Sequence, residues 1–391
     1  MGGTGDAELL LWTRASRSAL GMGLVFVLAA LGVEPLHAQE TGATLYVRTD
    51  SDRTTVITPR VHAIAPIGDQ TRVNMVYTAD VWTSASVDIR ASASKAITER
   101  RDELRGNLSH EWENVTLSGG YRFSYEPDYV SHSVSAGLSF DLADNAATLT
   151  FAGSASFDTV GRVGNPNFKR DTDAFTASVA LTQLLDPKTL IQLVYEFGYA
   201  DGYLASPYRF VAIGSPNGLC NYPGGPGGLE FCLPEHNPDE RMRHAAFLQG
   251  RRALGETVSA GLGYRFYIDD WQLMSHTATA DLAWALGSDT LLTLRYRFYL
   301  QSAAKQYKPS YALAANGREP ADKYLTRDKE LSAFSAHKIA LELEQAWDVG
   351  EVGRKLRALI SVGPSVFLYQ NFRPLERITA LDLTFSMVLT L

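Results

Sequence analysis

The chain has 391 residues, of which 45% are hydrophobic and 20% charged, with a formal net charge of −7. Past the N-terminal stretch no apolar run reaches the roughly 18 residues of a helical span, which excludes a helical multi-span membrane protein, and the apolar content excludes a disordered chain. Lys plus Arg (36) fall short of Asp plus Glu (43), which argues against a basic nucleic-acid binder, and 17 Phe, 18 Tyr and 6 Trp point to a large β-rich protein.

In chain order, the first segment reads as an address. Arg14 and Arg17 precede an apolar stretch from Ala19 to Val33, and Pro35 and Leu36-His37-Ala38 follow. A basic region, a short greasy core and a small residue at the cut are the layout of a secretory signal peptide. Residues 1–38 are therefore expected to be removed, leaving 39–391 as one domain. A retained anchor is the alternative, but the greasy core is shorter than a span.

From Thr41 onward the hydrophobic period is two, the period of strands. Val73, Met75, Tyr77, Ala79 and Val81 oppose Arg72, Asn74, Thr78 and Asp80. Val115, Leu117, Tyr121, Phe123 and Tyr125 oppose Arg122, Ser124 and Glu126; Ile191, Leu193, Tyr195, Phe197 and Tyr199 oppose Gln192 and Glu196. Further on, Leu262, Tyr264, Phe266 and Ile268 oppose Arg265, Tyr267 and Asp269, and Leu294, Tyr296, Phe298 and Leu300 oppose Arg295, Arg297, Tyr299 and Gln301. The chain finishes with Leu381, Leu383, Phe385, Met387, Leu389 and Leu391 on one parity, opposed by Asp382, Thr384, Ser386 and Thr390.

One parity wants hydrocarbon and the other wants water. A soluble sandwich can show the same alternation, but the Tyr and Phe near the strand ends match the aromatic girdles of a transmembrane barrel, with polar side chains facing inward. The pattern predicts an all-β fold, a transmembrane antiparallel β-barrel of about 16 strands, with 14 to 18 open. Strands are expected near 41–49, 54–66, 70–82, 99–112, 115–126, 130–142, 146–158, 172–184, 188–201, 241–252, 257–268, 271–286, 290–302, 328–347, 355–369 and 376–391. Short turns alternate with longer loops at about 83–98, 159–171, 202–240 and 303–327, which puts both termini in the periplasm and the chain in the bacterial outer membrane. The small-residue tract 83–98 is read as an external loop, with an inward plug as the alternative. Cys220 and Cys232, both in the longest loop, are expected to form a disulfide in an oxidising compartment.

Several strings resemble a bacterial outer-membrane barrel family known as domain of unknown function 3570. They include Asp80 with Ser84-Ala85-Ser86-Val87-Asp88, Leu204-Ala205-Ser206-Pro207-Tyr208-Arg209, and Pro238-Asp239-Glu240-Arg241-Met242-Arg243-His244. Tyr264 to Trp271, Arg295 to Tyr299 with Gln301 to Ala304, and Asp328 to Ser332 complete the set, which spans about residue 54 to 348. The resemblance implies an outer-membrane barrel and carries no reaction with it.

The inward parity is rich in guanidinium groups. Arg122, Arg243, Arg265, Arg295 and Arg297, with Tyr267, Asp269 and Tyr299, are the candidate lumen or ligand-binding residues. Guanidinium groups bind carboxylate or phosphate bidentately and would draw anions or acidic saccharides, whereas the competing reading is a structural Arg–carboxylate lattice. Asp80, Asp88, Tyr208, Arg209, Asp239 and Arg241 are placed at the loops or rim, ordering them or meeting ligand.

The expected partners are outer-membrane lipid, small polar or anionic solutes or a polysaccharide, and periplasmic export or redox proteins; nucleic acid is not among them. No G-x-S-x-G, H-E-x-x-H, phosphate loop or Cys-x-x-Cys is present, so no enzyme, metal or cofactor is expected. His236, His244 and His276 near Asp239, Asp269 and Asp270 are the residues an enzyme reading would use, and His236 and His244 with Glu235 those of a metal reading. Single histidines among strands read as structural. The resulting picture is a porin-like barrel passing or binding polar, anionic or saccharide-like solutes through an Arg/Tyr-lined lumen, as a diffusion pore or the outer-membrane part of an export system, or alternatively a non-conducting scaffold or sheath for periplasmic partners in polymer secretion or electron transfer.

Overall fold

The computed structural model describes residues 40–84, 97–213, 232–316, 319–350, 354–372 and 375–391. The expected leader, Asp88, Cys220 and most of the 83–98 tract lie outside them, so the leader cut, the plug and the Cys220–Cys232 pairing stay expectations.

Among the described residues, sixteen antiparallel strands close into a barrel. They are β1 (Glu40–Asp50), β2 (Thr54–Ile67), β3 (Thr71–Ser84), β4 (Ile97–Trp112), β5 (Val115–Glu126), β6 (Tyr129–Leu142), β7 (Ala147–Val160), β8 (Arg170–Asp186) and β9 (Thr189–Gly202). A short pair from the long loop, β10 (Phe210–Ala212) and β11 (Cys232–Pro234), stands apart from the wall. The wall resumes with β12 (Glu240–Ala253), β13 (Val258–Asp269), β14 (Met274–Ala285), β15 (Thr290–Gln301), β16 (Phe334–Asp348), β17 (Lys355–Tyr369) and β18 (Arg377–Thr390). β9 pairs with β12, and β18 returns to β1.

Closure leaves no wall edge unpaired, which is what a hydrocarbon environment demands of a β structure. The apolar parity points outward: Leu381, Leu383, Phe385 and Met387 of β18 are exposed, while Asp382 between them is 4% exposed. Exposed Leu, Ile, Val and aromatic side chains continue around the outside from Leu45 to Ile360. In water so much exposed apolar surface would be costly. Facing lipid, it is the belt of an outer-membrane β-barrel.

The turn end and the loop end differ as the chain spacing predicts. At the turn end, β6 and β7 are joined through Ala143, Asp144 and Asn145, all at positive φ, a conformation that Asp and Asn tolerate well. At the loop end, Gly202 (φ +114°) lets β9 leave the wall, and a Cβ there would stand 2.3 Å from the Asp171 carbonyl oxygen. β16 starts at Phe334 instead of near 328, because residues 329–331 form a 3-10 turn capped by the Asp328 side chain. β14 starts at Met274 instead of near 271, since Gln272 sits in a turn at φ +63°.

Candidate functional site

The inward parity of the wall is an ion-pair lattice. Arg265 of β13 meets Glu196 of β9 at 2.5 Å, and Arg295 of β15 meets Glu342 of β16 at 3.1 Å. Arg101 pairs with Asp80, which also accepts from Thr58 Oγ1 at 2.5 Å. Arg105 and Arg122 are directly opposed, and Glu103 lies between their guanidinium groups at 3.4 and 3.7 Å. Asp382 accepts from Tyr46 (2.8 Å), Arg48 (3.3 Å) and Lys338 (2.5 Å).

Several bridges leap over a strand, and a glycine lies beneath two of them. Arg251 of β12 pairs with Asp281 of β14 across Gly261 of β13, where a Cβ would come within 2.5 Å of Asp281 Oδ1. Lys338 of β16 reaches Asp382 of β18 across β17, where a Cβ on Gly363 would stand 2.9 Å from Lys338 Cε. The side chains lie flat along the wall because nothing projects between them.

Not every cation is neutralised. Among the described residues Arg60, Arg243 and Arg297 face inward with no ion-pair partner. Arg243 Nε is buried without a hydrogen-bond partner, and the Arg297 guanidinium lies 5.7 Å from the Tyr299 ring centroid.

Asp269 anchors the wall at the loop end. Its side chain is fully buried, accepting from Arg241 Nε (2.9 Å) and Nη2 (2.5 Å), from Tyr267 Oη (2.8 Å) and from the Leu273 backbone N–H (2.9 Å). The Arg241 guanidinium lies 4.3 Å from the Trp271 ring, whose Nε1–H donates to the Glu240 carbonyl. Tyr299 donates to Gln301, whose amide in turn donates to the Glu330 and Ser332 carbonyls. All eight candidate lumen residues therefore lie on the inward parity. Asp80 and Arg241, expected at the rim, belong to the wall just inside it.

Above this wall the two longest loops knit into a cap. The chain before β12 and the chain before β16 form bridges at Ile213–Tyr311 and His236–Leu325. Glu235, with its side chain 1% exposed, accepts from the Ser206 N–H (2.8 Å), Thr326 Oγ1 and Arg209 Nη1 (3.3 Å). Arg209 also pairs with Asp328 at 2.9 Å. Burial raises the Glu235 carboxyl above its ordinary range, the Arg209 charge opposes that rise, and the Asp328 charge adds to it. Burial likewise pushes the Tyr311 phenol up to about 12.

The cap touches both sides of the mouth. Tyr208 bonds Asp128 at the β5–β6 turn and accepts from the Val163 N–H at 2.7 Å, while Tyr307 donates to the Asn371 carbonyl before β18. Apolar burial is greatest beneath it, where Trp271, Tyr307, Leu331, Phe334, Tyr369 and Phe372 pack together. Tyr208 and Arg209 thus order the loops. The Asp239 backbone carbonyl accepts from Gly202 N–H at 2.8 Å where β9 departs.

The histidines are not brought together. His236 lies in the cap, whereas His244 and His276 face lipid on β12 and β14. Sequence reasoning treated these as isolated. In fact His132, His244, His276 and His337 each accept or share a hydrogen bond with a Tyr of the preceding wall strand, and the recurring Tyr-x-Phe strings were the available signal.

No curated protein matches the sequence. Among solved structures, the ferric enterobactin receptor of Pseudomonas aeruginosa matches 86% of this chain and 55% of its own at 12% identity, with a TM-score of 0.45. A bacterial polysaccharide outer membrane secretin matches 90% of this chain and 99% of its own, at 8% identity and a TM-score of 0.48. The CymD monoaromatic hydrocarbon channel matches 90% of this chain and 86% of its own, at 10% identity and a TM-score of 0.39. The chain spans about half the length of the ferric enterobactin receptor. The model of a family described as "Protein of unknown function (DUF3570)" matches residues 87–353.

Proposed function

The chain belongs to the DUF3570 family, and from that premise we propose that it is a porin-like outer-membrane barrel that binds and passes polar solutes carrying anionic or saccharide-like groups. Among the described residues, the supporting observation is the set of inward guanidinium groups that the ion-pair lattice leaves without a carboxylate, Arg243 and Arg297 included. Arg243 and Arg297 lie on strands β12 and β15, near Tyr267 and Tyr299, and a guanidinium without a carboxylate partner is poised to accept one from a solute. Export through a leader ending near Ala38 delivers such a barrel to the outer membrane.

The test is ion conductance of the refolded protein in a planar bilayer. Anion-favouring currents are expected, and the double substitution Arg243→Glu with Arg297→Glu should move the reversal potential toward cations. A conducting barrel whose selectivity ignores both substitutions would refute the binding role of these arginines.

The cap supports a second reading, in which the barrel stays closed and serves as a sheath or scaffold for periplasmic partners in polymer secretion or electron transfer. On that reading no current flows until the cap is released, and partner proteins co-purify.

A further inference from the structure

Four clusters on the lipid face share one design. Phe123, Phe197, Phe266 and Phe298 are paired across the ladder with His132, His244, His276 and His337. A Tyr two residues toward the turn end of each Phe strand (Tyr121, Tyr195, Tyr264, Tyr296) bonds the imidazole Nδ1 at 2.6–2.8 Å. Tyr and His rings lie at 6.1–6.3 Å with 32–34° between planes in all four.

All four clusters sit at the loop end. The exposed tryptophans Trp112, Trp284 and Trp347 occupy the opposite, turn end. From His276 to Trp284, or from His337 to Trp347, the climb along strands tilted by about 40° is roughly 20–25 Å, the height of a barrel's apolar band. The imidazoles therefore stand at the upper edge of the hydrocarbon.

Among the described residues each phenol has no other acceptor on this face, so its O–H donates to Nδ1, which leaves the ring N–H on Nε2. No protein group accepts from any of these Nε2 atoms among the described residues. A polar N–H facing lipid without a partner is costly, and four at one height are not an accident of packing.

We propose that these four imidazoles form a belt that binds the phosphate groups of outer-leaflet lipids, each donating Nε2–H to a phosphate oxygen. The flanking Phe and Tyr rings exclude water, which favours an anionic acceptor over a neutral one. Arg100 of β4 stands on the outward parity at the same edge but is paired with Asp102 at 2.7 Å, so the anion-binding role falls to the imidazoles. Asp201 and Glu240, a step beyond His244, make that cluster the weakest of the four for an anion.

The test titrates the full-length mature barrel, in phosphate-free maltoside micelles, with short-chain phosphatidic acid, the matching diacylglycerol, or inorganic phosphate, and counts bound molecules by native mass spectrometry. Phosphatidic acid is expected to bind at up to four sites, with His276→Phe weakening its own site about tenfold, equivalent to about 1.4 kcal/mol. The combined replacement of all four His by Phe should abolish the preference for phosphatidic acid over diacylglycerol. Equal binding of the two lipids, or an unchanged preference in the fourfold variant, overturns the proposal. Strong binding of inorganic phosphate alone also overturns the lipid assignment. Should the fourfold variant fail to fold, the imidazole ¹⁵N signals of the unsubstituted protein decide: Nε2 shifts with phosphatidic acid and not with diacylglycerol support the belt, and their absence rejects it.

Discussion

Strands β6–β8 and strands β12–β16 alternate in the same way but fill their inward parity with different chemistry. On β6–β8 it is mostly hydroxyls, and these satisfy one another across single ladders: Ser133 with Ser156 at 2.8 Å, Ser139 with Thr150 at 3.0 Å, Ser154 with Thr176 at 2.7 Å. On β12–β16 it is Arg and carboxylate, and the bonds reach further, often past a whole strand. The hydroxyl sector is short in reach, and its few inward carboxylates, Asp141 and Asp158, are held by hydroxyls of adjacent strands, Thr148 and Tyr129, with no cation across the wall among the described residues. The ionic sector braces strands that are not neighbours and sets the field in the lumen.

The contrast can be broken most severely at Asp269. Asp269→Ala leaves the half-buried Arg241 guanidinium and the Tyr267 hydroxyl without their shared acceptor and should cost about 3 kcal/mol, read as a fall in the heat- or urea-denaturation midpoint. The double charge reversal at Arg243 and Arg297 comes next; it should change ion selectivity severalfold in bilayer recordings while leaving stability largely intact.

A smaller effect concerns the cap, which rests on both sectors. Because the Glu235 pKa is raised on folding, its contribution to stability is full below the ordinary carboxylate range and fades as pH rises through the raised value. The cap should thus hold more firmly in mild acid, and Glu235→Gln should flatten that slope in midpoints measured against pH. At the bottom of the scale, Ser154→Ala should cost only about 1 kcal/mol or less, because its partner Thr176 stays exposed and turns to water. A loss as large as that of Asp269→Ala would end the distinction between the sectors.

The wall was legible in the chain because each strand announces itself locally. Alternation over Val115–Glu126 or Thr290–Gln301 needs no knowledge of the rest of the protein, and it also tells which arginines point inward. What those arginines meet was not legible. Arg265 and Glu196 come together only because β9 and β12 are neighbours despite the long connection between them, and no spacing rule encodes that. The cap was hidden for the same reason: Tyr311 and Ile213, or Leu325 and His236, are contacts between irregular segments without a period. The lipid-facing imidazoles were overlooked because their partners sit on an adjacent strand.

Asp382 has a further role that follows from where it stands. It grips Tyr46 and Arg48 across the junction of the first and last strands, groups 336 and 334 residues apart in the chain. Joining such distant segments carries the largest ordering penalty in the molecule, so this seam should zip last during assembly. Until it does, the intermediate is a curled ribbon with two bare margins, and a single carboxylate helps decide how long it stays vulnerable.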